Sequence, residues 1–71
     1  MENITIETEF IKLDALLKFA ALTATGGEAK QVIADGMVAV NGETCTMRGK
    51  KIRQGDEVTF AGHTLHVQRA Q

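Results

Sequence analysis

The spacing of apolar positions changes along this chain, and each change marks an element. Ile4 and Ile6 alternate with Asn3, Thr5 and Glu7, the pattern of a short strand with one buried face. From about Phe10 the period lengthens. Leu13, Leu16, Leu17 and Ala20 fall at i, i+3, i+4 and i+7, which predicts an amphipathic helix ending near Ala21 or Leu22. Asp14 and Lys18 form an i,i+4 pair on its opposite side. Phe19 lies off the core stripe, beside Lys12, with Ala15 and Leu22 further round. The helix is thus apolar over most of its circumference, and the first or last strand is expected to cover its second side.

A second helix announces its start. Thr25-Gly26-Gly27-Glu28 has the form of a capping box, with Thr25 as N-cap and Glu28 at the third helical position. Ala29, Val32 and Ile33 make the buried face, and Asp35-Gly36 supplies the stop. Gly26, Gly27, Lys30 and Gln31 occupy the opposite face. The two glycines leave it bare of side chains, and the first-turn amides at the positive end of the dipole form an anion site that Glu28 opposes. After Gly36 the period becomes two: Val38 and Val40 lead into Asn41-Gly42, a strong hairpin signal, and the return strand runs from Glu43 to about Met47. Arg48 to Arg53 reads as a loop or irregular strand around Ile52. Gln54-Gly55-Asp56 is a turn, Val58 and Phe60 resume the alternation, and Ala61-Gly62-His63 turns into Leu65 and Val67. The order strand, helix, helix, hairpin, strands predicts an α+β domain with two helices packed on one face of a small, mostly antiparallel sheet.

Composition narrows the class. Seventy-one residues hold one domain, taken as 1–71, with 44% hydrophobic residues to build a core. One cysteine permits no internal disulfide and fits a reducing compartment. Glu2, Glu7 and Glu9 precede the first base, Lys12, which is the wrong opening for a secretory signal. Acids and lysines break every apolar run short of the ~18 residues a membrane span needs. The expectation is a cytoplasmic protein with no membrane partner.

The net charge of −1 conceals an uneven distribution. Residues 1–11 hold three acids and no base, whereas Arg48-Gly49-Lys50-Lys51-Ile52-Arg53 places four bases in six positions without an acid. Such a run is either a solvated loop or part of a phosphate-binding surface. Catalytic and metal-binding patterns are weaker. Cys45 has no second cysteine, and His63 and His66, three apart on a strand, point to opposite faces. No serine is present, Asp56-Glu57 reads as the start of a strand, and Met37 and Met47 read as core filler. These residues imply no enzyme, no cofactor and no small-molecule substrate; Cys45 is expected to be buried and the histidines to lie on the surface.

Lys12-Leu13-Asp14, Leu17, Thr25, Ala29, Val32-Ile33, Asp35-Gly36-Met37-Val38-Ala39-Val40-Asn41-Gly42 and Gly55-Asp56 together resemble the alpha-L RNA-binding motif. This is the S-four-type domain, named for the fourth protein of the small ribosomal subunit. The resemblance covers residues 11–60, keeps the spacing from Lys12 through Thr25 to Asn41-Gly42 without insertion, and is similar to the stand-alone bacterial branch, the YbcJ-type small proteins. It implies binding of structured RNA on a surface formed by the two helices and the hairpin. By position, Lys12 stands where the motif has its first arginine, Thr25 replaces its serine, Gly26 its second arginine, and Ala21 the usual glycine after the first helix.

The candidate RNA-binding residues are Lys12, Thr25, Gly26, Gly27, Lys30, Arg48, Lys50, Lys51 and Arg53. With few aromatics on which bases could stack, the expected partner is folded or double-stranded RNA, ribosomal RNA among the candidates, read by phosphate and shape rather than by sequence. The second reading is a protein-interaction adaptor that keeps the fold without the RNA surface. Convergence of the bases in one patch favours RNA; bases scattered among Glu28, Asp35 and Glu43 favour the adaptor.

Overall fold

The computed structural model describes residues 2–70. β1 (Glu2–Ile6) is followed by a two-residue strand β2 (Ile11–Lys12), helix α1 (Leu13–Phe19) and helix α2 (Gly26–Ala34). Strands β3 (Val38–Val40), β4 (Glu43–Thr44), β5 (Lys51–Ile52), β6 (Glu57–Phe60) and β7 (His63–Arg69) complete the chain. Five strands form one sheet in the order β1-β7-β6-β3-β4, antiparallel except for the parallel pair β1 and β7; β2 and β5 form a separate antiparallel ribbon. The α+β expectation of two helices on a mostly antiparallel sheet matches this arrangement.

Alternation decides the sheet's buried face. Ile6, Val38, Val40, Val58, Phe60, Leu65 and Val67 point inward and meet Leu13, Leu16 and Leu17 of α1 and Ala29 and Ile33 of α2 in one core. Ile52 joins them fully buried and Ile11 packs against the same core, so the ribbon is fixed to it by its paired isoleucines. β3 and β4 turn through Asn41 and Gly42, both at positive φ (52° and 85°), the conformation that Asn-Gly adopts most readily.

Both helices end in the same way. In α2, the Gly36 amide donates to the Ile33 carbonyl and the Met37 amide to that of Val32, with Gly36 at φ 76°. In α1, the Ala21 amide donates to Lys18 and the Leu22 amide to Leu17. Here the positive φ of 60° is carried by an alanine.

Five expectations need correction. The first helix begins at Leu13, not Phe10, because the backbone of Ile11 and Lys12 is extended and paired with Ile52 and Lys51. β4 stops at Thr44; after the Cys45 amide bonds to Val38 the chain leaves the sheet without regular pairing as far as Lys50. Phe19 is left 60% exposed: Thr5, Ile6, Glu7, Thr8, Ile11 and Ala70 share a shallow groove with it but do not cover it. Met37 and Met47 lie outside the core, 57% and 66% exposed, and Cys45 is half-buried with its thiol 3.7 Å from the Met47 carbonyl.

Candidate nucleic-acid interface

The basic run does not form a free loop. The α1 amides of Leu13 and Asp14 have no helical partner, and no side chain caps them; they donate instead to the carbonyls of Lys50 (2.9 Å) and Arg48 (3.1 Å). One register step earlier, Lys12 faces Lys51 across the ribbon. The start of α1 therefore holds the segment 48–53 against itself through backbone bonds, which leaves the basic side chains uncommitted. Lys12, Arg48, Lys50, Lys51 and Arg53 are all exposed, and among the described residues none has a carboxylate within ion-pair distance. Five cations thus share one region formed by β2, β5 and the loop between β4 and β5.

Alternation gives the ribbon two chemically distinct faces. Ile11 and Ile52 point inward, so Phe10 and Lys12 on one strand and Lys51 and Arg53 on the other point outward. The Lys51 ammonium lies 4.9 Å from the centroid of the half-exposed Phe10 ring, and the Arg53 guanidinium carbon lies 5.6 Å from it, both in the range of a cation–π attraction. Phe10 belongs to this surface and was missed from sequence. The signal was available, since Phe10-x-Lys12 and Lys51-x-Arg53 each alternate around an isoleucine.

The far end of the segment is fixed by a hydrogen-bond network centred on Asn41. Its side-chain amide donates to Asp56 (3.1 Å) and its carbonyl oxygen accepts from the Glu57 amide (2.9 Å). The other Asp56 oxygen accepts from the Arg53 amide (2.9 Å). The turn that closes β3 and β4 is thereby tied to the turn following Arg53. Asp56, expected simply to begin a strand, is the joint between them.

The remaining candidates sit on α2. The Thr25 hydroxyl oxygen accepts from the Glu28 amide at 3.1 Å, and the Glu28 carboxylate accepts from the Ala24 amide at 2.6 Å, so the capping box forms with its return bond one residue early. Both capping side chains are engaged in holding the helix start. Gly26 and Gly27 follow, and a β-carbon at Gly26 would meet nothing within 4 Å. Lys30 is exposed but shares its helix with Glu28 and Asp35, the latter bonded to Gln31. The structure thus brings the backbones of five of the six basic candidates together at the ribbon and the loop before it, where Lys50 also lines a groove with Glu43 and Met47; Lys30 lies on α2, which packs on α1.

His63 and His66 leave the strand on opposite faces, His63 bonded to Glu2 (2.6 Å) and His66 beside Glu57 (3.7 Å). Among the described residues no group of three or more His, Cys, Asp and Glu could hold a metal ion. Among the described residues no helix is long and apolar enough to cross a membrane.

The model of the S4 domain matches residues 4–68, almost the whole chain. The chain belongs to the S4 domain family. Its S4 domain is 40% identical over 57 residues to YbcJ of Escherichia coli, covering 80% of this chain and 81% of that protein. It is 41% identical over 59 residues to the probable ribosome maturation protein RlbA of Bacillus subtilis, covering 83% of each. The small ribosomal subunit protein uS4 of Sphingopyxis alaskensis shares 38% identity over 49 residues, 69% of this chain but 24% of that larger protein. Among solved structures, the solution structure of E. coli YbcJ, with its alpha-L motif involved in RNA-binding, superposes with a TM-score of 0.73 at 35% identity. That match covers 96% of this chain and 87% of the other.

Proposed function

We propose that this S4 domain is a non-catalytic module that binds structured RNA, with ribosomal RNA as the favoured class, through phosphate and shape contacts. The observation that carries the reading is the set of five exposed cations without an ion-pair partner among the described residues, Lys12, Arg48, Lys50, Lys51 and Arg53, whose backbones the β2–β5 ribbon and the start of α1 bring together in a chain of net charge −1. Backbone bonds from α1 hold the main chain at Arg48 and Lys50, so the side chains can meet phosphates without breaking an ion pair. The S4 membership, YbcJ with its RNA-binding motif and the ribosome-maturation relative support the same direction. The activity ends with binding; no bond-making step is assigned. A cytoplasmic setting follows from that partner.

In this reading the first turn of α2 contributes amides and an open approach at Gly26, and Lys30 extends the contact from the ribbon to the second helix. If about four phosphates are neutralised, log K falls with log salt at a slope of roughly −3. The test is Lys30→Glu combined with Lys51→Glu, assayed by filter retention of a folded RNA. Retention is expected to be lost while the thermal unfolding curve stays close to wild type, since both side chains are exposed and unpaired among the described residues. Retention that persists would show that this face is not the one RNA meets.

A further inference from the structure

We infer that the outward face of the β2–β5 ribbon is a receptor for one unpaired base, with Phe10 as its stacking platform and Lys12, Lys51 and Arg53 holding the phosphates on either side. The inference rests on the RNA reading above and adds to it a second kind of contact, to a base plane rather than to the backbone of a duplex.

The residues make this face unlike the rest of the surface. Phe10 continues β2 by one residue and Arg53 continues β5 by one, so the register Ile11 with Ile52 and Lys12 with Lys51 sets Phe10 opposite Arg53. One aromatic and three cations then share a single side, without an acid among them. Ile52, fully buried, and the bonds from Leu13 and Asp14 to the adjoining segment make the platform rigid. A Phe ring in a folded chain usually has apolar neighbours; this one, half-exposed, is attended by an ammonium and a guanidinium.

The cation–π contacts mark where a flat, electron-poor ring can sit. Lys51 and Arg53 are held to Phe10 by attraction to its ring face, a weak interaction when solvent-exposed. A phosphate oxygen offers each of them a stronger, charge-assisted bond. When RNA arrives, the cations turn to the flanking phosphates and the ring face becomes free for a base. Bases inside a duplex are already stacked and cannot use it, so the receptor serves a bulged, looped or terminal nucleotide.

The experiment uses the full chain and two RNA hairpins of identical stem, one fully paired and one carrying a single bulged 2-aminopurine. Wild type is expected to bind the bulged hairpin about tenfold more tightly, near the lower end of what stacking one base on an aromatic side chain yields, and to quench the 2-aminopurine fluorescence. Phe10→Leu keeps an apolar side chain but loses the π face; it should lose the preference for the bulged hairpin and give no quenching. Phe10→Trp should retain both the preference and the quenching. The inference is overturned if wild type binds both hairpins equally, if Phe10→Leu keeps the preference, or if Phe10→Leu weakens both hairpins alike, which would make the ring a support for the cations and nothing more. Failure of wild type to bind even the paired hairpin at low salt would instead remove the RNA reading itself.

Discussion

Ala21 is a place where this chain departs from its motif, and the departure has a calculable consequence. The residue closes α1 at φ 60°, with its amide bonded to Lys18 and the next amide to Leu17. An L-residue with a β-carbon pays about 1–2 kcal/mol in that conformation, and glycine pays nothing. Glycine also loosens the unfolded chain, which offsets about 0.4–1 kcal/mol of the gain. Ala21 is exposed, so no packing is lost with its methyl group. Ala21→Gly is therefore expected to stabilise the fold by about 0.5–1 kcal/mol, the difference between those two effects. In a domain of this size that corresponds to a rise in Tm of roughly 2–8 °C. Urea unfolding followed by circular dichroism gives the free energy directly, and an unchanged m-value would place the effect in stability rather than compactness. The control is Ala20→Gly, one residue earlier at φ −81°, where glycine should destabilise by about 0.5–1 kcal/mol. If Ala21→Gly destabilises as much as Ala20→Gly, the strain argument is wrong.

Asn41→Val should have the opposite sign, because it removes both side-chain bonds to the Asp56–Glu57 segment and puts a β-branched residue at φ 52°. A loss of about 3–4 kcal/mol is expected, from about 1–2 for backbone strain and about 1 for each of the two hydrogen bonds. Asn41→Gly, which keeps the backbone and loses the bonds, should recover the strain part in the same unfolding assay; equal losses would discount strain. Gly26→Arg restores the cation that the motif carries, at a position where the β-carbon meets nothing. It should tighten RNA binding and steepen the salt dependence by about 0.7–0.9 in slope, one further phosphate contact; a titration at several salt concentrations that shows neither effect would place α2 outside the interface.

Features set by near neighbours in sequence could be read without the structure. The alternation at Ile4 and Ile6, the Thr25–Glu28 cap, the Gly36 stop and the Asn41-Gly42 turn each need only a few consecutive residues, and all four are present. The ribbon could not be read in the same way. Its pairing joins Ile11-Lys12 to Lys51-Ile52 across both helices and the hairpin. Locally, Phe10 also fits the i, i+3, i+7 spacing of Leu13 and Leu17, so helical periodicity over-extends the first helix toward the N-terminus.

The same distance effect governs the site. The four bases of segment 48–53 were evident, but their gathering with Lys12, and the cation–π contacts with Phe10, depend on that long-range pairing. Phe19, off the core stripe, was expected to be covered by the first or last strand, but the residues beside it only flank it; Met37 and Met47, read as core filler, fall outside β3 and β4 and stay exposed.

The position of β7 governs the order in which the molecule can assemble. It is the last strand in sequence, yet it lies between β1 and β6 and provides the only strand partner of β1 among the described residues. While residues 63–69 are still inside a translating ribosome, the first strand has emerged with no edge to join, and Ile4 and Ile6 remain in water. The helix pair and the Asn41-Gly42 hairpin need close-range contacts and can form earlier. A chain halted before His63 therefore loses two strands from its sheet, which is completed only once residues 63–69 are available.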